Sequence, residues 1–237
     1  VARKVERLTL DNLARLPGHC SSCTFWEFDP VRRSQIRGHE AEEKAAWVSS
    51  MLREWGSVGR VISVDDQVVG HLLWAPALHL PGADGFATAP VSSDAVLLAS
   101  GYIDPGFRGQ GLARVLIQSM AKDLIRHGGV GAVEAFGAHR PREGACVLPT
   151  DFLLAVGFRT HRPHPRHPRM RMDLRTTLTW RREFEAAAEK LLGGLKRPVP
   201  RLSPRPVRHG AEASDAAVPT RSVSRFGSQG RAQLAEP

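Results

Sequence analysis

The sequence predicts an α/β fold, and three observations carry that reading. Apolar, β-rich runs alternate with amphipathic helical stretches over residues 3–175. One such run, 95–103, leads through Asp104-Pro105-Gly106 into a basic, glycine-rich loop, Arg108-Gly109-Gln110-Gly111, which opens a helix. A second apolar run, 130–136, follows that helix, completing a strand, loop, helix and strand. The chain has 237 residues and a hydrophobic content of 42%, which is sufficient for a packed core.

Taken in order, residues 5–10 alternate as a strand does, and Asp11 caps a short helix that Pro17-Gly18 ends. A loop containing His19, Cys20, Cys23, Phe25, Trp26 and Glu27 comes next. Ala45, Val48, Met51, Leu52 and Trp55 recur at helical spacing over residues 40–55. Residues 60–64 and 67–74 are β-rich and separated by Asp65-Asp66, the composition of a tight hairpin. Residues 76–93 are rich in Pro, Gly, Ala and Ser and read as an irregular connection long enough to be functional.

Beyond the central unit, a polar loop spans 138–147, and a short helix starts near 148–151 and stops at Gly157. Residues 158–173 interleave His161, His164 and His167 with prolines and arginines. The favoured reading is a solvated loop; in a proline-bound extended helix the three imidazoles would instead share one face, able to meet a metal or an acidic acceptor. Residues 170–174 resume strand-like alternation, and 180–192 form a last amphipathic helix. From about Leu195 large apolar residues almost vanish, so the tail has too little surface to bury and is expected to be disordered. The domain reading is therefore a folded domain over 1–195 and a basic Pro/Arg/Ser-rich tail over 196–237.

The formal charge of +9 is unevenly placed. Residues 196–237 hold eight Lys or Arg against three acids, so most of the basicity belongs to the tail and makes nucleic acid a possible but not a favoured partner. No apolar run approaches the roughly 18 residues of a membrane span, and the first residues lack the apolar core of a signal peptide. A soluble, cytoplasmic protein is expected. An odd count of three cysteines fits a reducing compartment.

The loop at 108–113 carries the functional signal. Gly109 and Gly111 let the backbone turn closely, and the following helix starts with unpaired N–H groups at the positive end of its dipole. Beside Arg108 this makes an anion site of pyrophosphate size. Neither the dinucleotide fingerprint nor a Walker loop fits, because G-x-G-x-x-G and Gly-Lys-Ser/Thr are absent.

Arg108-Gly109-Gln110-Gly111-Leu112-Ala113 resembles the R/Q-x-x-G-x-G/A signature of the GNAT superfamily, the acyl-CoA-dependent N-acetyltransferases. The preceding strand-Pro-x-x-Arg-Gly context, Val156-Gly157-Phe158, and the order of elements over nearly three quarters of the chain are similar to that family. The Cys-x-x-Cys element with its Phe-Trp-Glu, and the Leu-Leu-x-x-Gly-Phe stretch, look like an actinobacterial subgroup. The resemblance implies a GNAT fold, with a mixed, mostly antiparallel central sheet flanked by helices. It implies acetyl-CoA as cosubstrate, held at its pyrophosphate by Arg108, Gly109, Gln110, Gly111, Leu112 and Ala113, and at its pantetheine arm by Tyr102 and Ile103, in a splay between two strands. It also implies direct attack of an amine, on a small molecule or a protein, without an acyl-enzyme. A catalytically weak module that binds CoA, nucleic acid or a protein is the alternative.

Many members of the family carry a Tyr four residues before the Gly-Phe pair, where this chain has Leu153. The proton-carrying candidates are then Tyr102, which can equally serve packing or pantetheine contact, and Glu134, a carboxylate inside an apolar strand. Glu134 reads as a general base, directly or through water, or as an ion pair with an arginine. Asp94 and Asp151 are explained as turn and cap residues. Cys20 and Cys23 have the spacing of half a zinc site, which Cys146 and one of His19, His139 or His164 would have to complete. The favoured reading assigns no metal and treats the three thiols as small buried groups near the acceptor loop.

Overall fold

The computed structural model describes residues 2–141 and 146–174. The expected helix at 180–192 and the tail from 196 lie outside the described residues. Strands β1 (Arg3–Arg7), β2 (Gly59–Val64), β3 (Gln67–Pro76) and β4 (Ala95–Ile103) run antiparallel in sequence order. β4 then pairs in parallel with β5 (Ala132–Ala138), and β8 (Arg169–Asp173) and β7 (Arg159–Arg162) close the far side, so the order is β1-β2-β3-β4-β5-β8-β7. The short β6 (Leu148–Pro149) pairs with the end of β5 off this path. The β2–β3 hairpin turns at Asp65 and Asp66, both at positive φ, as a tight two-residue connection between right-twisted strands requires.

Each face of this sheet is covered by helices. On one face lies α4 (Leu112–His127), whose Leu112, Leu116, Ile117, Met120 and Leu124 are all buried, with α5 (Thr150–Ala155) beside it. Burial of each such side chain is worth about 1.5–3 kcal/mol, which fixes the helix on the sheet. On the other face lie α1 (Leu10–Leu13) and α3 (Glu40–Glu54), together with Trp26, Leu80 and Phe136. A further helix, α2 (Pro30–Gln35), begins where Asp29 accepts from the amides of Val31 and Arg32 and Pro30 occupies the first helical position.

Residues 163–168 form the loop between β7 and β8, as the favoured reading had it, and the one-faced extended helix is not formed. His161 belongs to β7, the His164 ring accepts from the amides of Arg166 and His167, and the His167 ring meets the Gly137 carbonyl. The three imidazoles go to three different places because β7 and β8 pair as a hairpin, which an extended helix cannot do.

Candidate functional site

β4 and β5 share only three paired positions, Ala95↔Ala132 to Leu97↔Glu134. Over residues 98–103 β4 keeps β3 on one edge and, among the described residues, has no strand on the other. β5 turns instead to pair Gly137 with Leu148 and Ala138 with Pro149. The opening is thus a splay between parallel strands, bordered by β6. Leu148 packs close to Gly101 across it, its Cδ2 3.4 Å from where a Cβ on Gly101 would stand.

The glycine-rich loop stands at the end of this open edge. Gly109 and Gly111 have φ of +76° and +78°, a region that costs other residues strain, and a Cβ at either would point into open space. Conformation rather than crowding therefore requires glycine there. Gly111 is the N-cap of α4 and, among the described residues, no side chain caps the helix, so its first-turn amides have no intrahelical partner. The Arg108 guanidinium donates to the Ile103 carbonyl at 3.0 Å and lies 6.0 Å from the Tyr102 ring, so Tyr102, Ile103 and Arg108 form one group. Arg3 of β1 donates to the side chain and carbonyl of Gln110. Leu112 is buried in the core and Ala113 follows it in the first turn, so what these two residues offer the loop is backbone. A cleft of about 540 Å³ lies between α4, at Arg114, Ile117 and Gln118, and residues 154–161 and 171–173 of α5, β7 and β8.

Tyr102 and Glu134 are not brought together. Glu134 is level with Leu97, and Tyr102 is five residues further along β4, roughly 16 Å at the rise of a strand. Glu134 is 0% exposed; it accepts from the Ser92 amide and pairs with Arg169 and Arg171, each at 3.2 Å. Burial pushes its pKa up, but the Ser92 hydrogen bonds and the two guanidinium groups outweigh that and hold it below the ordinary carboxylate range. The geometry is that of the arginine ion pair left open by the sequence. Asp94 joins the network through Arg171 at 2.7 Å, which lowers its pKa as well. Leu153, at the position of the family tyrosine, is a fully buried core residue.

Sequence reasoning passed over His71. It lies directly across from Tyr102 in β3, its ring stacked on the tyrosine at 6.5 Å, 1% exposed and with both ring nitrogens unpartnered among the described residues. Burial, with a smaller push from Lys44, lowers its pKa to about 3. Only its place inside an apolar run could have signalled it. Nearby, Lys44 and Glu27 form a buried ion pair, and Lys44 also donates to the Cys23 carbonyl at 2.9 Å.

Of the cysteine and histidine arrangements open to the sequence, the structure gathers His19, Cys23 and Cys146, while Cys20, His139 and His164 stand outside that cluster. The Cys146 thiol hydrogen-bonds to Cys23 and lowers the latter's pKa to about 6, and its own pKa is raised by the same contact and by burial. Burial pushes Cys20 up to about 11. No helix among the described residues is long and apolar enough to cross a membrane.

Residues 24–147 match the family model described as the acetyltransferase (GNAT) family. No curated protein matches the chain. Among solved structures it is similar to the PaiA N-acetyltransferase of Thermoplasma acidophilum in complex with coenzyme A, at 12% identity over 73% of this chain and 99% of that one, with a TM-score of 0.49. An N-acetyltransferase from Staphylococcus aureus Mu50 is 14% identical over 73% of this chain and 99% of its own, with a TM-score of 0.49. The loading GNATL domain of CurA from Lyngbya majuscula is 14% identical over 74% and 100%, with a TM-score of 0.48.

Proposed function

The chain belongs to the acetyltransferase (GNAT) family and is an acyltransferase, and from that premise we propose that it transfers the acetyl group of acetyl-CoA directly to a primary amine on a small molecule or a protein. The observation that carries this reading is the loop at 108–113, where two left-handed glycines bring an uncapped helix start to the point at which β4 loses its neighbour. Acetyl-CoA supplies the activated acetyl thioester, and the chain supplies position and charge.

In this reading Arg108 and the amides of residues 109–113 hold the pyrophosphate, because free N–H groups at a helix start favour an anion. Tyr102 and Ile103 offer backbone groups on the open edge of β4 to the pantetheine arm, and an N–H on that edge stabilises charge developing on the thioester oxygen. The neutral amine attacks the thioester carbon and the C–S bond breaks; Tyr102 donates its phenolic proton to the departing thiolate, and the proton lost by the amine returns to the phenolate, directly or through water. His71, neutral because it is buried, holds the Tyr102 ring from below as a positioning residue. Glu134 serves as the fixed charge that holds Arg169 and Arg171, since a carboxylate between two guanidinium groups has little basicity to offer. The folded domain spans 1–195 and acts in the cytoplasm, with the basic residues 196–237 as an appended tail.

Acetyl-CoA should raise the melting temperature, and free CoA should accumulate when a library of primary amines is added. No thermal shift with any acyl-CoA would contradict the reading. A module that binds CoA without turnover is favoured by one observation, the apolar Leu153 at the position of the family tyrosine; it predicts the thermal shift with no release of CoA.

A further inference from the structure

Three side chains that the transfer reaction does not use converge on the side of the sheet covered by α1 and α3. The loop after α1 brings His19 and Cys23, and the segment leading into β6 brings Cys146, which is 123 residues from Cys23 in sequence. The edges of the triangle are 2.9 Å between the two sulfurs, 3.8 Å from Cys146 Sγ to His19 Nε2, and no more than 4.8 Å for the third. A circle through three points with such edges has a radius of at most about 2.4 Å, so one point lies close to a zinc bond length from all three atoms. A tetrahedral site with bonds of roughly 2.3 Å has sulfur–sulfur edges of about 3.8 Å, so metal entry has only to open the sulfur pair by about 1 Å.

We propose that His19 Nε2, Cys23 Sγ and Cys146 Sγ form a binding site for Zn(II), with three protein ligands and a fourth position open to the adjoining cleft. Two thiolates and an imidazole are the donor set that selects a borderline-soft, tetrahedral divalent ion over magnesium or calcium. The backbone of both sulfur ligands is already held: Lys44 Nζ donates to the Cys23 carbonyl and Trp26 Nε1 to the Cys146 carbonyl, each at 2.9 Å. Lys44 and Trp26 are themselves buried, so the ligand-bearing segments are fixed by the core rather than by solvent-exposed contacts.

The approach of His19 adds a third ligand atom to the thiol pair, its Nε2 lying 3.8 Å from Cys146 Sγ. His19 is exposed and the two sulfurs are half-buried beside a cleft of about 510 Å³, lined also by Arg33, Arg37 and Glu40, which gives the ion an entry path and the fourth position a ligand from solvent. The site would clamp two segments that border the splay. Gly18 lies against the Tyr102 ring, and Leu148, two residues after Cys146, packs beside Gly101. The proposal stands on the cluster alone and not on the acyltransferase reading.

The test is metal binding by the full chain, purified with reductant, read by elemental analysis and by Co(II) titration. The expected result is about one equivalent of zinc per chain, and an intense visible Co(II) spectrum with a thiolate charge-transfer band, as a tetrahedral two-sulfur site gives. Cys23→Ser and Cys146→Ser should each drop the zinc content below roughly a tenth of an equivalent, His19→Ala should weaken Co(II) binding at least about 10-fold, and Cys20→Ser should bind like the wild type. Circular dichroism of each variant reports folding separately, and the wild-type titration needs no variant at all. Failure of the reduced wild type to bind Zn(II) or Co(II), a full equivalent retained by Cys146→Ser, or loss of binding in Cys20→Ser alone would overturn the proposal.

Discussion

The two faces of the sheet bury different kinds of side chain. The face under α4 is apolar apart from Thr150 and a charge pair at its margin, Arg60 with Asp123, which also holds Arg126. The face under α1 and α3 buries Glu27, Lys44 and His71, carries Glu134 on the same side as Phe136, and holds the thiol cluster and the Tyr102 ring beside the loop at 17–23. Burying polar groups is costly unless they are paired or working. One face therefore serves as scaffold for the cradle helix, and the other concentrates the groups from which chemistry can be built. The cradle itself sits at the edge between them, where β4 parts from β5.

The largest effect expected on this contrast comes from breaking the buried pair on the polar face. Lys44→Met leaves the Glu27 carboxylate without its partner and should cost about 3–5 kcal/mol in a denaturant titration, with Lys44→Met/Glu27→Leu recovering most of the loss. A double variant no more stable than the single one would mean that the face tolerates no apolar repacking.

A smaller, pH-dependent effect belongs to His71. Its folded pKa of about 3 lies below its unfolded value of about 6.5, so between those limits the unfolded chain binds the extra proton. The stability that this group contributes is present above pH 6.5 and is lost as pH falls toward 3. By pH 5 the loss is about 2 kcal/mol, and His71→Leu should remove that part of the slope. Equal slopes for both proteins between pH 7 and 5 would show that this histidine reaches water.

The smallest effect is expected at Tyr102. Tyr102→Phe keeps the ring against Gly18 and His71, so stability should stay within about 0.5 kcal/mol, while kcat falls by roughly 10-fold with little change in the KM for acetyl-CoA. An unchanged kcat would reduce the residue to packing.

What the sequence made legible was local. The hairpin at Asp65-Asp66 and the glycines of the loop are written in residues close together, and turn chemistry reads them directly. Asp29-Pro30, which caps α2 with the helix's own N-terminal residues, is a signal of the same local kind that the sequence reading passed over. The rest depends on strands distant in sequence. That Glu134 would be met by Arg169 and Arg171 follows from the β5–β8 register, and that His71 would lie under Tyr102 follows from the β3–β4 register. Neither register is written in a single run of residues. The pairing of Cys23 with Cys146 needs the whole fold, because β6 must first turn back along β5. In the histidine-proline segment the loop reading holds over 163–168, and the alternative of one shared face for the imidazoles fails because strand pairing places His161 in β7.

The central claim, that residues 108–113 cradle the pyrophosphate of acetyl-CoA, is tested most directly by calorimetric titration of acetyl-CoA and of S-acetylpantetheine, which lacks the pyrophosphate, into the wild type and Gly111→Val. A β-branched residue cannot hold the left-handed φ of Gly111 without strain and would turn the loop amides away. Wild type should prefer acetyl-CoA strongly, and Gly111→Val should lose about 100-fold of that affinity, roughly 2.7 kcal/mol, with S-acetylpantetheine binding unchanged. Equal acetyl-CoA affinity in the wild type and a folded Gly111→Val would contradict that claim.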